Sequence, residues 1–143
     1  VVDGLEYREG LNAVKISGGV ASNVIPDEAS LEINYRYAPT VSATEAEQSM
    51  RELFIDFNME ILDNEPGALP GLSHPALAEL VELSQGEVAP KFGWTDVARF
   101  AAIGVPAVNL GPGDPSFAHS RDEHVALADL DKCRAILEQW LVS

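Results

Sequence analysis

The sequence predicts a mixed α and β protein in two parts, an α+β part followed by an α/β part. Three observations predict it: apolar and polar residues alternate early in the chain, a helical pattern follows, and helices then alternate with short apolar segments. Residues 65–71, EPGALPG, form a linker rich in proline and glycine between the two parts. The 143 residues are enough for one ordinary domain or two small ones.

Two strands are predicted in the first part. Residues 31–37, LEINYRY, alternate apolar and polar side chains, as is typical of a strand with one buried face. Residues 11–19, LNAVKISGG, predict a second strand that ends on two glycines. The turn-forming pair Pro26-Asp27 lies between them, so we expect antiparallel neighbours.

A helix is predicted to begin at Ser42, because Glu45 three residues later completes a capping-box pattern. Residues 58–64, NMEILDN, predict a short strand after this helix, which would give a small sheet with a helix on one face. The apolar residues at helical spacing after Ser42 are Ala46, Met50, Leu53, Phe54 and Phe57.

The second part is predicted to alternate helices and strands. Helices are expected over residues 73–84, with Ser73 or His74 near the cap, and over residues 95–104, closed by a glycine. Strands are expected over residues 87–92 and 105–111. A last helix carries an apolar stripe of Leu130, Cys133, Ile136, Leu137, Trp140 and Leu141.

Composition excludes several kinds of partner. A net charge of −14 argues against nucleic acid and against an anionic membrane surface, since both need a basic face. No apolar run approaches the roughly 20 residues of a membrane span. The single cysteine, Cys133, leaves neither an internal disulfide nor a paired-cysteine zinc site, which favours a cytoplasmic setting. The start, VVDG, carries no initiator Met and predicts a piece of a longer protein.

Residues 111–125, GPGDPSFAHSRDEHV, are the leading site candidate. Ligands of open α/β sheets bind beyond the carboxyl ends of the strands, so loops 93–96 and 111–125 are expected at one sheet edge. His119 lies in this loop, and imidazole is the commonest transition-metal ligand. The alternative is a loop histidine that only hydrogen-bonds, because no second ligand lies at a fixed spacing from it.

Other polar residues allow two interpretations each. Thr95 and Asp96 either cap a helix or place its N-terminus against a substrate carboxylate, and Asp96 can also pair with Arg99. Arg36 either pairs with Glu32 or binds a carboxylate bidentately. For these residues the sequence pattern favours the purely structural interpretation.

The two remaining histidines are predicted to be structural. His124 precedes an apolar residue at the end of the loop, and His74 lies at a predicted helix start. Neither is expected to bind a metal.

Three segments occur in an order that resembles one family: GGVASNVIPDEASLEINYRYAP, KFGWTDVARF and GPGDPSFAHSRDEHV. They are similar to the metal-dependent aminoacylase and carboxypeptidase family, and the likeness is greatest to its actinobacterial succinyl-diaminopimelate-hydrolysing members. It covers nearly the whole chain. It implies a zinc-aminopeptidase-like α/β catalytic domain with two zinc ions and a small α+β lid that forms a homodimer. Residues 1–66 would be the later part of the lid (dimerisation) domain, and residues 67–143 the C-terminal segment of the catalytic domain.

The resemblance also implies roles for individual residues. His119 would be a zinc ligand, with Glu123 as a supporting acid beside it. The positions that correspond to the substrate pocket are Asn23, Arg36, Gly93 and Thr95 for binding, with Asp96 in support.

The family's other ligands, a His-x-Asp pair, a bridging Asp and a Glu-Glu pair that includes the general base, are expected upstream of Val1. Because zinc sites need three or four protein ligands and catalysis needs a base, we expect the isolated chain neither to bind two zinc ions nor to turn over. The implied activity is removal of succinate from N-succinyl-LL-2,6-diaminopimelate in lysine and diaminopimelate biosynthesis. Alternatives are acetylornithine deacetylation, another family amide, or a non-catalytic fragment that self-associates through its sheet edge.

Overall fold

A computed structural model describes residues 1–85 and 87–142. The chain divides into two compact units, and each is described by itself. Unit 1 comprises Val1–Leu69 with Lys91–Thr95, and unit 2 comprises Pro70–Pro90 with Asp96–Ser143. Helices and a sheet are both present, so the predicted mixed α/β class is confirmed.

Unit 1 begins with a β-hairpin. Strand β1 (Gly10–Gly18) pairs antiparallel with strand β2 (Ala29–Arg36), and a register shift between Ala13 and Lys15 interrupts the ladder. Both predicted strands and their antiparallel pairing are therefore confirmed. At Gly18 an added Cβ would lie 2.9 Å from the Glu28 carbonyl oxygen, so the close approach of the two strands there requires glycine.

Helix α1 (Ala43–Leu53) has the predicted capping box. The Glu45 backbone N–H donates to Ser42 Oγ at 3.2 Å, and the Ser42 backbone N–H donates to Glu45 Oε2 at 2.9 Å. The hydrogen bonds from Ser42, that of its side chain first, lower the pKa of the Glu45 carboxyl. The helix ends at Leu53, so Phe57 lies beyond it, with its ring 6.3 Å from that of Phe54.

Tyr37 joins three parts of unit 1. Its hydroxyl shares a three-centre hydrogen bond between Asn64 Oδ1, at 3.0 Å, and the Glu65 carbonyl oxygen, at 2.8 Å. The amide nitrogen of Asn64 donates in turn to the Ala43 carbonyl at 2.9 Å. This network fixes the start of α1 and the segment after it on the end of β2. The predicted strand over 58–64 is wrong, because the described chain has no strand structure over that segment.

The described part of unit 2 contains three α-helices. They are α2 (Pro75–Leu83), α3 (Val97–Ala102) and α4 (Leu127–Val142), all three as predicted. Helix α2 packs against α4. The buried side chains here include Leu77, Leu80 and Ile136, at 3%, 5% and 9% exposure. Gly104, with φ of 75°, closes α3 in the left-handed conformation that glycine tolerates.

The two strands predicted for the second part of the chain, over 87–92 and 105–111, are wrong. Within the described chain neither segment has strand structure. Pro90 and Pro106 lack the N–H that a ladder needs, and a strand forms only beside a neighbour that satisfies its backbone groups. The expected common sheet edge for loops 93–96 and 111–125 is therefore not observed. No helix in the described chain is long and apolar enough to cross a bilayer.

Candidate functional site

Arg36 ends strand β2 with its side chain exposed to solvent. Its Nε donates to Asn34 Oδ1 at 3.1 Å. No ion pair joins it to Glu32 in the described chain, so that interpretation is wrong. Since Nε is occupied, the carboxylate-binding edge that remains is the one formed by the two terminal nitrogens.

Asn34 was not predicted as a partner of Arg36. Residues two apart on a strand point to the same face, and that spacing is the signal that could have found it. On the other face Tyr35 donates to Glu9 Oε2 at 3.0 Å and lies 5.5 Å, ring to ring, from Tyr37. Desolvation first, and then Glu9, raises the pKa of Tyr35.

The other predicted pocket residues of unit 1 lie in loops. Asn23 is exposed in the connection between β1 and β2, and it makes no hydrogen bond to Arg36 in the described chain. Gly93 and Thr95 belong to the segment 91–95, which contacts the rest of unit 1 through the rings of Phe92 and Tyr7, 6.2 Å apart. An added Cβ at Gly93 would lie 3.9 Å from Lys91 Cε, so local packing leaves room there.

Asp96 precedes α3 in unit 2. Its side chain makes no capping hydrogen bond, so the capping interpretation is wrong for this residue. Its carboxylate instead lies 3.6 Å from Arg99 Nη1, which confirms the ion pair expected from their spacing. Both side chains are exposed, and such a surface pair contributes little stability.

Loop 111–125 contains a short 3₁₀ helix, Pro115–Phe117. Asp114 caps it by accepting from the Ser116 backbone N–H at 2.8 Å. That hydrogen bond lowers the pKa of the Asp114 carboxyl. The Asp114 carboxylate is therefore already engaged in shaping the loop.

His119 lies at the turn that follows. Its φ is 62°, a left-handed conformation that few residues with a side chain adopt. Its backbone N–H donates to Glu123 Oε2 at 3.1 Å, so the two residues lie side by side. Within residues 1–85 and 87–142 nothing hydrogen-bonds to the His119 imidazole, which leaves it exposed and available to a ligand.

The described residues do not by themselves fit a zinc ion. They contain no group of three or more His, Cys, Asp or Glu side chains that could hold a metal. A zinc site takes three or four protein ligands, and His119 supplies one imidazole. Any zinc bound here would need ligands from outside the described residues.

The two other histidines have structural contacts, as predicted. His74 caps α2, since its Nδ1 accepts from the Ala76 backbone N–H at 3.2 Å. The His124 ring lies 4.5 Å from the Phe117 ring, centroid to centroid. No sequence pattern singles out Phe117, because this contact depends on the fold of the loop.

The class of protein follows from comparison with known families. Residues 5–60, which contain the hairpin and α1, match the peptidase dimerisation domain of the M20 type. The chain is therefore similar to the M20 peptidase family, through a dimerisation-domain match over residues 5–60 and through relatives that match nearly the whole chain.

Three relatives have names that are more specific than this class. The putative succinyl-diaminopimelate desuccinylase DapE of Mycobacterium tuberculosis is 53% identical over 142 residues, which is 98% of this chain and 40% of the relative. Succinyl-diaminopimelate desuccinylase of Corynebacterium glutamicum is 45% identical over 146 residues, again 98% of this chain and 40% of the relative. Acetylornithine deacetylase of Myxococcus xanthus is 30% identical over 142 residues, 89% of this chain and 36% of the relative. The chain thus spans about 40% of the length of the first two relatives.

Proposed function

We propose that this chain is part of a metal-dependent amide hydrolase that removes succinate from N-succinyl-LL-2,6-diaminopimelate, in lysine and diaminopimelate biosynthesis. The observation that carries the proposal is the similarity over 98% of the chain to two proteins named for this activity, at 53% and 45% identity. Hydrolysis of the amide would release succinate and the free amino group of diaminopimelate. Residues 1–66 would belong to the dimerisation domain and residues 67–143 to the catalytic domain.

The substrate is a polyanion, and the chain carries a net charge of −14, so binding needs local positive charge and hydrogen-bond donors. Arg36 meets this need, because its terminal nitrogens can grip a carboxylate bidentately while Asn34 holds Nε. We assign Asn23, Gly93 and Thr95 to the same pocket. Asp96 is assigned a supporting role.

We assign His119 as one ligand of a zinc site with two ions per subunit, and Glu123 as the carboxylate that holds the His119 backbone. The remaining ligands are assigned to residues outside these 143. Amide hydrolysis also needs a base for the attacking water and a proton for the leaving amine. We place that base outside the chain as well, and therefore propose that the chain alone is inactive.

His119→Ala in the complete protein tests the metal assignment. Zinc content per subunit, measured by elemental analysis, should fall, because one imidazole ligand is lost. His74→Ala is the matched control, since His74 caps a helix and should leave zinc content unchanged. Unchanged zinc in the His119 variant would remove this residue from the site.

We propose a homodimer formed through residues 5–60, on the strength of their match to a dimerisation domain. Ile16 and Leu31 face each other across the hairpin, at 76% and 58% exposure. Covering this pair by a second copy would remove apolar surface from water. A small-molecule substrate is the other partner, and the acidic charge disfavours nucleic acid and membrane surfaces. A cytoplasmic location is consistent with the single cysteine.

Acetylornithine deacetylation is the second candidate, favoured by the similarity to the enzyme of Myxococcus xanthus at 30% identity. Its acyl group carries no carboxylate, so a pocket built to grip the succinyl carboxylate would discriminate against it. A third candidate is a non-catalytic, self-associating piece, favoured by the dimerisation match. Zinc titration of the 143-residue chain separates this candidate, because stoichiometric binding of two ions would count against it.

A further inference from the structure

Residues 113–125 form a compact loop whose two ends touch. Gly113 has φ of 77°, and an added Cβ there would lie 3.0 Å from Val125 Cγ2. Surface loops of about 6–16 residues with closely spaced ends are Ω-loops, which are packed by their own side chains and often carry functional residues. In such a loop the internal side chains decide the shape.

The side chains of Phe117 and His124, both exposed, contact each other across this loop. Their ring centroids lie 4.5 Å apart with the planes tilted by 47°. His124 Nδ1 lies 2.6 Å from the Asp122 carbonyl oxygen. Because a carbonyl oxygen only accepts, Nδ1 must carry the proton, and the imidazole is held in one orientation over Phe117.

The contact between the Phe117 and His124 rings joins residues on either side of the turn that contains His119. The Phe117 carbonyl accepts from the backbone N–H of Ser120 at 3.2 Å and from its hydroxyl at 2.7 Å. On the far side of the turn, the Glu123 carboxylate accepts a hydrogen bond from the His119 backbone N–H at 3.1 Å. Phe117 and His124 therefore lie at the two ends of residues 117–124. The hydrogen bonds to the Phe117 carbonyl and to the Glu123 carboxylate hold the backbone of this segment.

The His119 conformation needs such support. A residue other than glycine in the left-handed region is strained and stays there only when its surroundings hold it. Hydrogen bonds exposed to water exchange readily with solvent, so they hold a strained turn weakly by themselves. The stacked rings add the apolar contact that keeps the two ends of the turn together.

We propose that His124 is a positioning residue: its ring, packed on Phe117, closes the Ω-loop and holds His119 in its left-handed conformation. The imidazole of His119 is thereby presented in one orientation to whatever it binds. The value of this orientation as a ligand rests on the proposed function. The positioning itself is a property of the loop and is measured without metal or substrate.

The test is nuclear magnetic resonance on the 143-residue chain and its variants. A positive φ gives a strong intraresidue amide-to-Hα nuclear Overhauser effect, so His119 reports its own conformation. His124→Ala and His124→Asn should both lose this strong signal, the second despite keeping a side-chain donor. His124→Phe, which retains an aromatic ring, should keep it. His74→Ala is the matched control and should keep the His119 signal.

Two results would overturn the proposal. One is a strong His119 signal that survives in both His124→Ala and His124→Asn. The other is loss of that signal in His124→Phe. Signals from helices α2 and α4, which pack together in the same unit as the loop, verify that each variant chain retains folded structure there. These spectra do not depend on hydrolase activity. The positioning role of His124 and the proposed hydrolase function can therefore be contradicted independently.

Discussion

The proposed substrate recognition depends on Arg36. Its guanidinium is fixed at Nε by Asn34, which leaves a planar pair of terminal nitrogens to meet a carboxylate. A lysine at this position would keep the charge but offer a point donor in place of the planar pair. Orientation as well as charge should therefore matter for binding.

Arg36→Lys in the complete protein should raise KM for N-succinyl-diaminopimelate about tenfold, the equivalent of one charge-assisted hydrogen bond. The value of kcat should change little, because the carboxylate is gripped equally before and during reaction. Arg8→Lys is the control, since Arg8 only pairs with exposed Glu6. Steady-state kinetics that show a lower kcat at constant KM would contradict the binding role.

Tyr37 is the residue that ties unit 1 together, through hydrogen bonds to Asn64 and to the Glu65 carbonyl. Burial first, and then Glu65 and Asp63, raise its pKa above 10.0. A raised pKa means that the folded chain holds the phenol proton more tightly than the unfolded chain. This contribution to stability is therefore complete below about pH 10 and is lost as pH rises through the folded pKa.

Tyr37→Phe should lower the free energy of unfolding by about 1 kcal/mol near neutral pH, since it leaves two acceptors of the network unpaired. Denaturant unfolding should show that this difference shrinks once pH exceeds about 10, where the phenol of the unfolded chain ionises while the native phenol still holds its proton. Tyr35→Phe should cost less, because the Tyr35 bond to Glu9 is exposed. A difference between Tyr37→Phe and the parent that is independent of pH would contradict the account.

Elements that depend on local patterns were predictable. The hairpin and α1 follow from alternation, helical spacing and a capping box, all of which lie within a few residues. The strands expected over 87–92 and 105–111 failed because a strand depends on a neighbour that no local pattern reveals. The same distinction between local patterns and contacts made on folding applies to the candidate site. His119 was predictable from its residue type, whereas the Asn34 and Phe117 contacts arise only in the folded chain.

Helix α1 offers a test of the capping box. Ser42→Ala should lower the free energy of unfolding by about 1 kcal/mol. Ser49→Ala makes the same chemical change inside the helix, where the hydroxyl only donates back to the Glu45 carbonyl at 2.9 Å. It should be neutral or slightly stabilising, because alanine is the better helix former. Equal losses in the two variants, measured by denaturant unfolding, would show that the cap contributes nothing specific.

At the scale of the whole molecule, the described chain buries few apolar side chains. The buried ones are Ala46, Leu77, Leu80, Ala98 and Ile136. Larger ones on the hairpin stay exposed, among them the cross-strand pair Ile16 and Leu31. Exposed apolar patches mark interaction surfaces in folded proteins, which agrees with a dimerisation domain over residues 5–60.

Ile16→Gln should weaken self-association by about tenfold, since one apolar side chain no longer leaves water on binding. Lys15→Gln is the matched control, because Lys15 points to the opposite face of the same strand. Sedimentation over a range of concentrations gives the dimer dissociation constant for each variant. Equal dissociation constants for both variants and the parent would place the dimer contact elsewhere.

The most direct test of the central claim is side-by-side hydrolysis of N-succinyl-LL-2,6-diaminopimelate and acetylornithine by the complete protein that contains this chain. We expect kcat/KM for the succinyl substrate to be at least about 100-fold higher, because a pocket that grips the succinyl carboxylate rejects a substrate lacking it. Arg36→Lys should reduce that ratio. Equal activity on both substrates, or preference for acetylornithine, would contradict the proposed function.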